Sequence, residues 1–466
     1  MSIGDEKDTI AGIATAQGEG GISIVRVSGP AALAIADSVF ACHSPPPSRR
    51  DGGTFVHGQV TAGDNPPAGG PGATVVDEAV LLIFRAPRSY TREDVVEIQG
   101  HGGVVSAQRV LRRVLDAGAR LAEPGEFTKR AFINGRIDLT QAEAVLDLIR
   151  AGSDRAAAAA IEQLGGALTS WVTTTYDDLL SLVGGLEVGL DFPDDEMPPL
   201  LIEESCRMAD AVGRQLDRLL GTWDEGHVVR DGVLTVISGK PNVGKSTLFN
   251  ALLGTDRAIV ADHPGTTRDT LEERLIIDGI LLRLVDTAGL RDTDCVIEHQ
   301  GVLRAKQQMQ KADLHIHILD ASQPLDRTDR ESLSLMPPDR TIVVLNKVDL
   351  GVTIEPSSIA EYPVISACFL KPGAVDNLKT TLASRIARYS GGPARVTISE
   401  RHRQAILAAS VDTREAMSLL AHGREEAIAP AVSLLRSAAE ELAMITGRVY
   451  HDDLLDRVFS RFCIGK

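Results

Sequence analysis

Aromatic side chains are scarce, at 4% of 466 residues, while alanine and leucine are plentiful, which points to a largely helical chain. No run of about 18 apolar residues occurs, and this excludes a membrane-spanning helix. The opening "MSIGDEKDTI" is acidic and has no charged-then-apolar leader, so no secretory signal is expected. The five cysteines, Cys42, Cys206, Cys295, Cys368 and Cys463, form no CxxC pair. That pattern excludes a spacing typical of structural zinc and fits a reduced, cytoplasmic setting. Basic charge is also lacking, because the net charge is −16. Non-specific binding of nucleic acid over the whole surface needs clustered Lys and Arg and is argued against. RNA binding through one local patch, or through a basic partner, stays open.

The rest of the composition is that of a folded protein, with 43% hydrophobic and 24% charged residues. The length allows about two to four domains. Residues 1–132 read as α+β. "GGISIVRVSG" and "DEAVLLIFRAP" have strand character between Gly and Pro, and Ala31 to Phe40 has helical periodicity. "AGDNPPAGGPG", from Ala62 to Gly72, reads as a surface loop. Over 133–231 apolar residues recur at three- and four-residue spacing, clearly so from Leu139, with "PDDEMPP" as an interruption. Over 232–390 short β-rich runs, "GVLTVISG", "ILLRLVDTAG", "LHIHILDA", "TIVVLNKVD" and "YPVISA", alternate with helical segments. Such alternation predicts a mostly parallel sheet with helices on both faces. Residues 391–466 are helical again from Glu400 to Ser460. The simplest arrangement is one helical domain in two stretches with the α/β domain inserted, since insertions are tolerated where termini lie close. An independent C-terminal helical domain is the alternative.

"GKPNVGKS", from Gly239 to Ser246, fits G-x-x-x-x-G-K-S/T between a strand and a helical segment. Backbone N–H groups from Asn242, Val243, Gly244, Lys245, Ser246 and Thr247 would close around phosphates, helped by the positive end of the helix. Lys245 reaches the β- and γ-phosphates, and the Ser246 hydroxyl binds Mg²⁺. An ordinary strand–turn–helix is the plain alternative for a lone match. Further motifs follow in order. "ADHPGTTRD" carries Gly265 and Thr266 and offers Thr267 as a second Mg²⁺ ligand. "DTAG" gives Asp286, Thr287, Ala288 and Gly289, where Asp286 holds Mg²⁺ through water and the Gly289 N–H meets the γ-phosphate. "NKVD" gives Asn346, Lys347 and Asp349. The Asp349 carboxylate accepts two hydrogen bonds that guanine presents and adenine does not. "SAC" gives Ser366, Ala367 and Cys368, where a backbone N–H meets the guanine oxygen. Each motif is weak alone, but five in this order identify a GTP-hydrolysing domain, cleaving a phosphoric anhydride.

Many such domains place a water-orienting glutamine after "DTAG", but Leu290 stands there. Two features compensate in principle. Asn242 can help hold a monovalent cation beside the phosphates, with backbone carbonyls from the segment before "GTTRD", or it can merely stabilise a turn. An acidic residue after "DTAGLR", namely Asp292, Asp294 or Glu298, can position water, or each can be a solvated loop charge.

Outside this core the chain resembles the bacterial tRNA-modification GTPases of the MnmE (TrmE) family over nearly its full length. "DTIAGIATAQGEGGISIVRVSG", "SYTREDVVEIQGHGG", "EPGEFTKRAFINGRIDLTQAEAV" and the terminal "FCIGK" carry the likeness. The resemblance implies a homodimer working with an MnmG-type flavoprotein, in a heterotetramer or larger complex. The pair adds a carboxymethylaminomethyl (or aminomethyl) group to the wobble uridine of certain tRNAs, at the expense of GTP. It implies potassium bound by Asn242, by the carbonyls of Ala261 and His263 and by Thr266, within the nucleotide-contacting segment that also holds Asp262 and Pro264. Ala261 and His263 differ in side chain from the family pattern, which main-chain ligands tolerate. Glu298 falls where the family has its water-positioning glutamate.

The resemblance also implies an N-terminal α+β domain akin to folate-binding one-carbon enzymes. It would hold 5-formyltetrahydrofolate or a related one-carbon folate through Arg26, Glu97, Arg136 and Lys466. Arg26 and Glu97 lie in strand-like runs, where ordinary strand surface charges are the plain alternative. Arg136 stands where the family commonly has lysine, which keeps the charge but not the geometry. Cys463 is a candidate for redox or one-carbon chemistry, or a small buried residue near a docked C-terminus. A different class of function, a GTP switch docking on ribosomal RNA, would call for a basic RNA-binding domain, and none is seen. A dimerising scaffold without useful turnover is the third reading.

Overall fold

Period-two alternation in Ile22–Ser28 and Val95–His101 builds the first sheet of the chain, described here from a computed structural model. Val25, Val27, Val96 and Ile98 are buried together in one core, and Arg26 and Glu97, between them in sequence, point to the opposite face. The structure describes residues 8–63, 74–191, 199–256, 272–286, 309–371, 373–387, 396–421 and 425–466. The loop expected at Ala62 to Gly72 and the "PDDEMPP" interruption lie largely outside these residues. Contacts divide the chain into two compact units, Met1–Leu146 with Ala443–Lys466, and Asp147–Leu442.

In the first unit seven strands form one sheet: β1 (Ile10–Ile13), β2 (Ile22–Ser28), β3 (Phe40–Cys42), β4 (Thr54–Ala62), β5 (Thr74–Phe84), β6 (Val95–His101) and β7 (Arg120–Leu121). Their order is β3-β4-β5-β6-β2-β1-β7, antiparallel except for the β1–β7 pair. Helices α1 (Ala32–Val39) and α2 (Val104–Asp116) cover the core face. Helix α2 does so with Ala107, Val110 and Val114, at the spacing of one helical stripe. Helix α3 (Glu126–Ile133) and the start of α4 (Leu139–Arg150) pack with the helix Asp452–Phe459. Phe132, Leu139, Leu455, Phe459 and Phe462 form that core. The helical stretches at 133–146 and 443–466 therefore belong, by their contacts, to the N-terminal unit. The chain end docks there. The Gly125 N–H donates to the Cys463 carbonyl at 3.4 Å, and a Cβ on Gly465 (φ +98°) would lie 2.0 Å from the Ile13 oxygen.

The second unit combines helices and a second sheet. Helices α5 (Asp154–Leu164), α6 (Ala167–Asp191), α7 (Pro199–Leu220) and α8 (Trp223–Asp231) precede the sheet, and Glu400–Ala421 packs along α7. Leu216 of α7 and Ile406 and Ala416 of that later helix are fully buried. The six strands are β8 (Val233–Gly239), β9 (Glu272–Ile277), β10 (Ile280–Asp286), β11 (Leu314–Asp320), β12 (Thr341–Asn346) and β13 (Val364–Ser366). The order is β13-β12-β11-β8-β10-β9, parallel except for β9. Strands β8, β11 and β12 are buried nearly end to end, as a sheet covered on both faces requires. The parallel-sheet expectation holds. The antiparallel edge β9 was not expected, because "EERLII" is half charged; the signal for it was Asp278-Gly279, a two-residue hairpin turn with φ +49° and +75°. No described helix is long and apolar enough to cross a membrane.

Candidate functional site

Strand β8 ends at Gly239, and helix α9 (Lys245–Asp256) begins where the phosphate-binding signature ends. The loop between them needs its glycines. Gly244 has φ +107°, and a Cβ there would lie 2.3 Å from the Asn346 Nδ2. Lys245 is buried, and its Nζ donates to the carbonyls of Gly239 (3.1 Å) and Lys240 (2.7 Å). Its ammonium thus rests against the loop it would leave to meet phosphate. Ser246 and Thr247 are exposed in the first turn of α9, where backbone N–H groups have no intrahelical acceptor. Val243 is buried. Asn242 is exposed with φ +62°, a left-handed residue, which suits a turn and leaves its amide open to a cation.

Asn346, at the end of β12, is 5% exposed and joins two loops. Its Nδ2 donates to the Val243 carbonyl (2.8 Å), and its Oδ1 accepts from the Phe369 N–H (3.2 Å). The phosphate loop and the turn after β13 are thereby tied through one side chain. Lys347 takes φ +62°, and its Nζ lies 2.7 Å from the Asp320 Oδ2. Asp349 and Ser366 are exposed, so the carboxylate expected to read the base faces solvent rather than a buried site. Ala367 and Cys368 are buried, and the Ala367 N–H donates to the Leu345 carbonyl at 2.8 Å. Asp286 ends β10. Its side chain lies outside the described residues, as do Ala261, Asp262, His263, Pro264, Gly265, Thr266, Thr267, Thr287, Ala288, Gly289 and the acidic candidates Asp292, Asp294 and Glu298. Among the described residues no group of His, Cys, Asp and Glu side chains is arranged to hold a metal ion.

The first unit gathers Arg26, Glu97, Arg136 and the chain end. Arg26 and Glu97 face each other across β2 and β6 and form an ion pair of 2.8 Å, with each side chain 14% exposed. They are not ordinary strand surface charges. Arg26 also donates through Nη1 to the Gly465 carbonyl at 3.4 Å. Its guanidinium lies 5.4 Å from the Tyr90 ring centre and 5.6 Å from that of Phe127. Arg136 lies over the same Tyr90 ring, 4.8 Å from its centre, and its Nη1 donates to the Tyr90 carbonyl at 2.8 Å. Burial and then the positive charge of Arg26 hold the Lys466 ammonium below its ordinary pKa, against the pull of Glu97. Cys463 is exposed, which corrects the expectation of a small buried residue. The cluster offers cations, one carboxylate and two aromatic faces, a combination suited to an anion bearing a flat ring. Tyr90 and Phe127 were not singled out from the sequence. Both lie inside the quoted stretches "SYTREDVVEIQGHGG" and "EPGEFTKRAFINGRIDLTQAEAV", but nothing local marks an aromatic as the neighbour of a distant arginine.

Comparison with known proteins covers almost the whole chain. The family model for the MnmE helical domain matches residues 139–463, and that for the GTP-binding protein TrmE N-terminus matches residues 9–136. The chain is 41% identical to the tRNA modification GTPase MnmE of Geobacillus kaustophilus, covering 99% of this chain and 100% of that protein. It is 42% identical to the tRNA modification GTPase MnmE of Geobacter sulfurreducens, covering 99% of each. Among solved structures, the G domain of the T. maritima FeoB iron transporter is 26% identical over 34% of this chain and 98% of that chain, with a TM-score of 0.25.

Proposed function

The chain belongs to the MnmE family, and from that premise we propose that it is a GTP hydrolase acting in tRNA modification. The observation that carries the nucleotide reading is the loop Gly239–Ser246, locked by the Asn346 clasp, with Lys245 parked on its carbonyls. In this reading the loop N–H groups and Lys245 hold the β- and γ-phosphates, and Asp349 reads guanine. Ser246, exposed at the start of α9, and Thr267 would hold Mg²⁺. Asn242, whose amide is open to solvent, fits a place in a K⁺ shell with Ala261, His263 and Thr266. These ions, when bound, offset the negative charge that develops in phosphoryl transfer. Glu298 takes the part of the absent glutamine and orients water.

The finer reading extends to the other unit. Arg26, Glu97, Arg136 and Lys466 would hold 5-formyltetrahydrofolate or a related one-carbon folate. The support is their gathering around Tyr90 and Phe127. Cys463, exposed three residues before Lys466, is accessible for redox or one-carbon chemistry. The protein works as a cytoplasmic homodimer with an MnmG-type flavoprotein and adds a carboxymethylaminomethyl group to the wobble uridine of certain tRNAs. Its G domain, 232–390, interrupts in sequence a helical domain of 133–231 and 391–466, whose ends, 133–146 and 443–466, pack with the N-terminal domain of 1–132; the single helical-domain match across 139–463 supports that insertion.

The test is steady-state GTP hydrolysis in potassium against sodium, at equal ionic strength and varied protein concentration. Faster turnover in potassium, rising with protein concentration and lost in Glu298→Ala, is expected. Equal rates in both salts would remove the cation from the mechanism.

A further inference from the structure

Lys240, the second residue of the phosphate-binding signature, makes two ion pairs that the motif does not call for. Its Nζ lies 2.5 Å from the Asp326 Oδ2 and 2.7 Å from the Asp329 Oδ2. Those carboxylates form the N-terminal cap of helix α10 (Arg327–Ser334). The Asp326 side chain accepts from the Asp329 N–H, and the Asp329 side chain accepts from the Asp326 N–H. Two like charges in one capping box repel, and a cation placed between them removes that cost. Their attraction outweighs the slight burial of Lys240 and raises its pKa, while the ammonium lowers that of Asp326. The same Lys240 carbonyl is the 2.7 Å acceptor for the Lys245 Nζ. A side chain pinned to α10 therefore fixes the backbone on which the phosphate-binding lysine rests.

The segment leading into α10 holds the guanine side in the same way. Asp320 pairs through Oδ2 with Lys347 of "NKVD" at 2.7 Å. Its Oδ1 accepts from the Ser322 N–H (3.1 Å) and hydroxyl (2.7 Å), so the carboxylate is fixed at both oxygens. We propose that the segment Asp320–Asp329 is an ionic brace between the guanine-reading and phosphate-binding loops, and that Lys240 is a positioning residue for GTP binding. It acts in addition to the Asn346 clasp, which holds the loop at Val243, and on GTP through Lys245 rather than by contact.

The competing account is that these are surface ion pairs of little consequence. GTP hydrolysis by the full chain separates the two. Lys240→Met removes the cation, and Lys240→Arg restores it. Asp326→Asn keeps a good cap residue but removes its charge. Arg327→Met is the control, because Arg327 is 92% exposed on the same helix and pairs only with Glu331 among the described residues. In low salt, Lys240→Met is expected to raise the KM for GTP about five-fold and Asp326→Asn about two-fold, with kcat changed less than two-fold. Lys240→Arg and Arg327→Met stay near wild type. The gap between Lys240→Met and wild type closes as salt screens the pairs. An unchanged KM in both Lys240→Met and Asp326→Asn overturns the brace. So does a KM gap that persists at high salt, or an Arg327→Met defect equal to that of Lys240→Met. Should Lys240→Met fold poorly, Asp326→Asn reads the same quantity without touching the loop.

Discussion

Replacing Asn346 by alanine tests the clasp at its centre. The side chain is 5% exposed and makes two hydrogen bonds to backbone groups, one to the Val243 carbonyl at 2.8 Å and one from the Phe369 N–H at 3.2 Å. Alanine leaves both backbone groups without that partner in a buried place. Each orphaned group costs about 1–3 kcal/mol, so the pair costs roughly 2–6 kcal/mol before any water fills the gap. Because the chain holds two compact units, global unfolding is a poor readout of this number. Nucleotide affinity is better, since in the proposed reading GDP binds across the phosphate loop and the guanine loop, which the clasp ties together. Calorimetric titration with GDP should show a loss of at least about ten-fold for Asn346→Ala, the equivalent of about 1.4 kcal/mol. Asn346→Asp keeps the shape but faces the Val243 oxygen with a carboxylate oxygen in place of a donor, so it should bind no better than alanine. Asn346→Ala binding GDP within two-fold of wild type would refute the clasp. So would a wild-type-like Asn346→Asp, because the donor to Val243 would then be dispensable.

Two other outcomes follow from the geometry. Burial holds the His317 imidazole down at about 4, below its ordinary 6.5, with its Nε2 unpartnered in the interior of the sheet. The unfolded chain therefore binds the extra proton between those values, and stability falls as pH drops through that window, by up to about 3 kcal/mol; thermal melting of the nucleotide-binding unit from pH 7 to 4 should show it, and His317→Gln should flatten the slope. In the first unit, Tyr90→Leu removes the ring beneath both Arg26 and Arg136 and should weaken 5-formyltetrahydrofolate binding about ten-fold by fluorescence titration, whereas Tyr90→Phe keeps the ring and should bind like wild type. Equal affinity for Tyr90→Leu and wild type would deny the ring that part.

What the sequence disclosed and what it hid divide along one physical line. Features set by neighbours in the chain were legible: the glycines and Lys245 of the phosphate loop, the alternation in β2 and β6, and the buried apolar runs of β8, β11 and β12. Even the missed strand β9 had a local mark in Asp278-Gly279. Features made by partners far apart in sequence were not. Lys240 and Asp329 are 89 positions apart, Val243 and Asn346 are 103 apart, and Arg26 and Gly465 are 439 apart. A lysine in a phosphate loop and an aspartate at a helix start each look like a routine surface charge until the sheet order sets β8 beside β11 and brings the loops that follow them together. The same holds for Arg26 and Glu97, where pattern alone gives a strand charge on each and only the register makes them opposite. Tyr90 shows the limit from another side. Nothing in its own segment requires an aromatic there, and its part emerges only when Arg26, from one strand, and Arg136, from the loop after α3, converge on its ring. The motif residues of the proposed nucleotide site are thus visible in the chain, while the residues that hold those motifs in place are visible only in the fold. For that reason the braces, rather than the motifs, are where substitutions in this chain should be most informative.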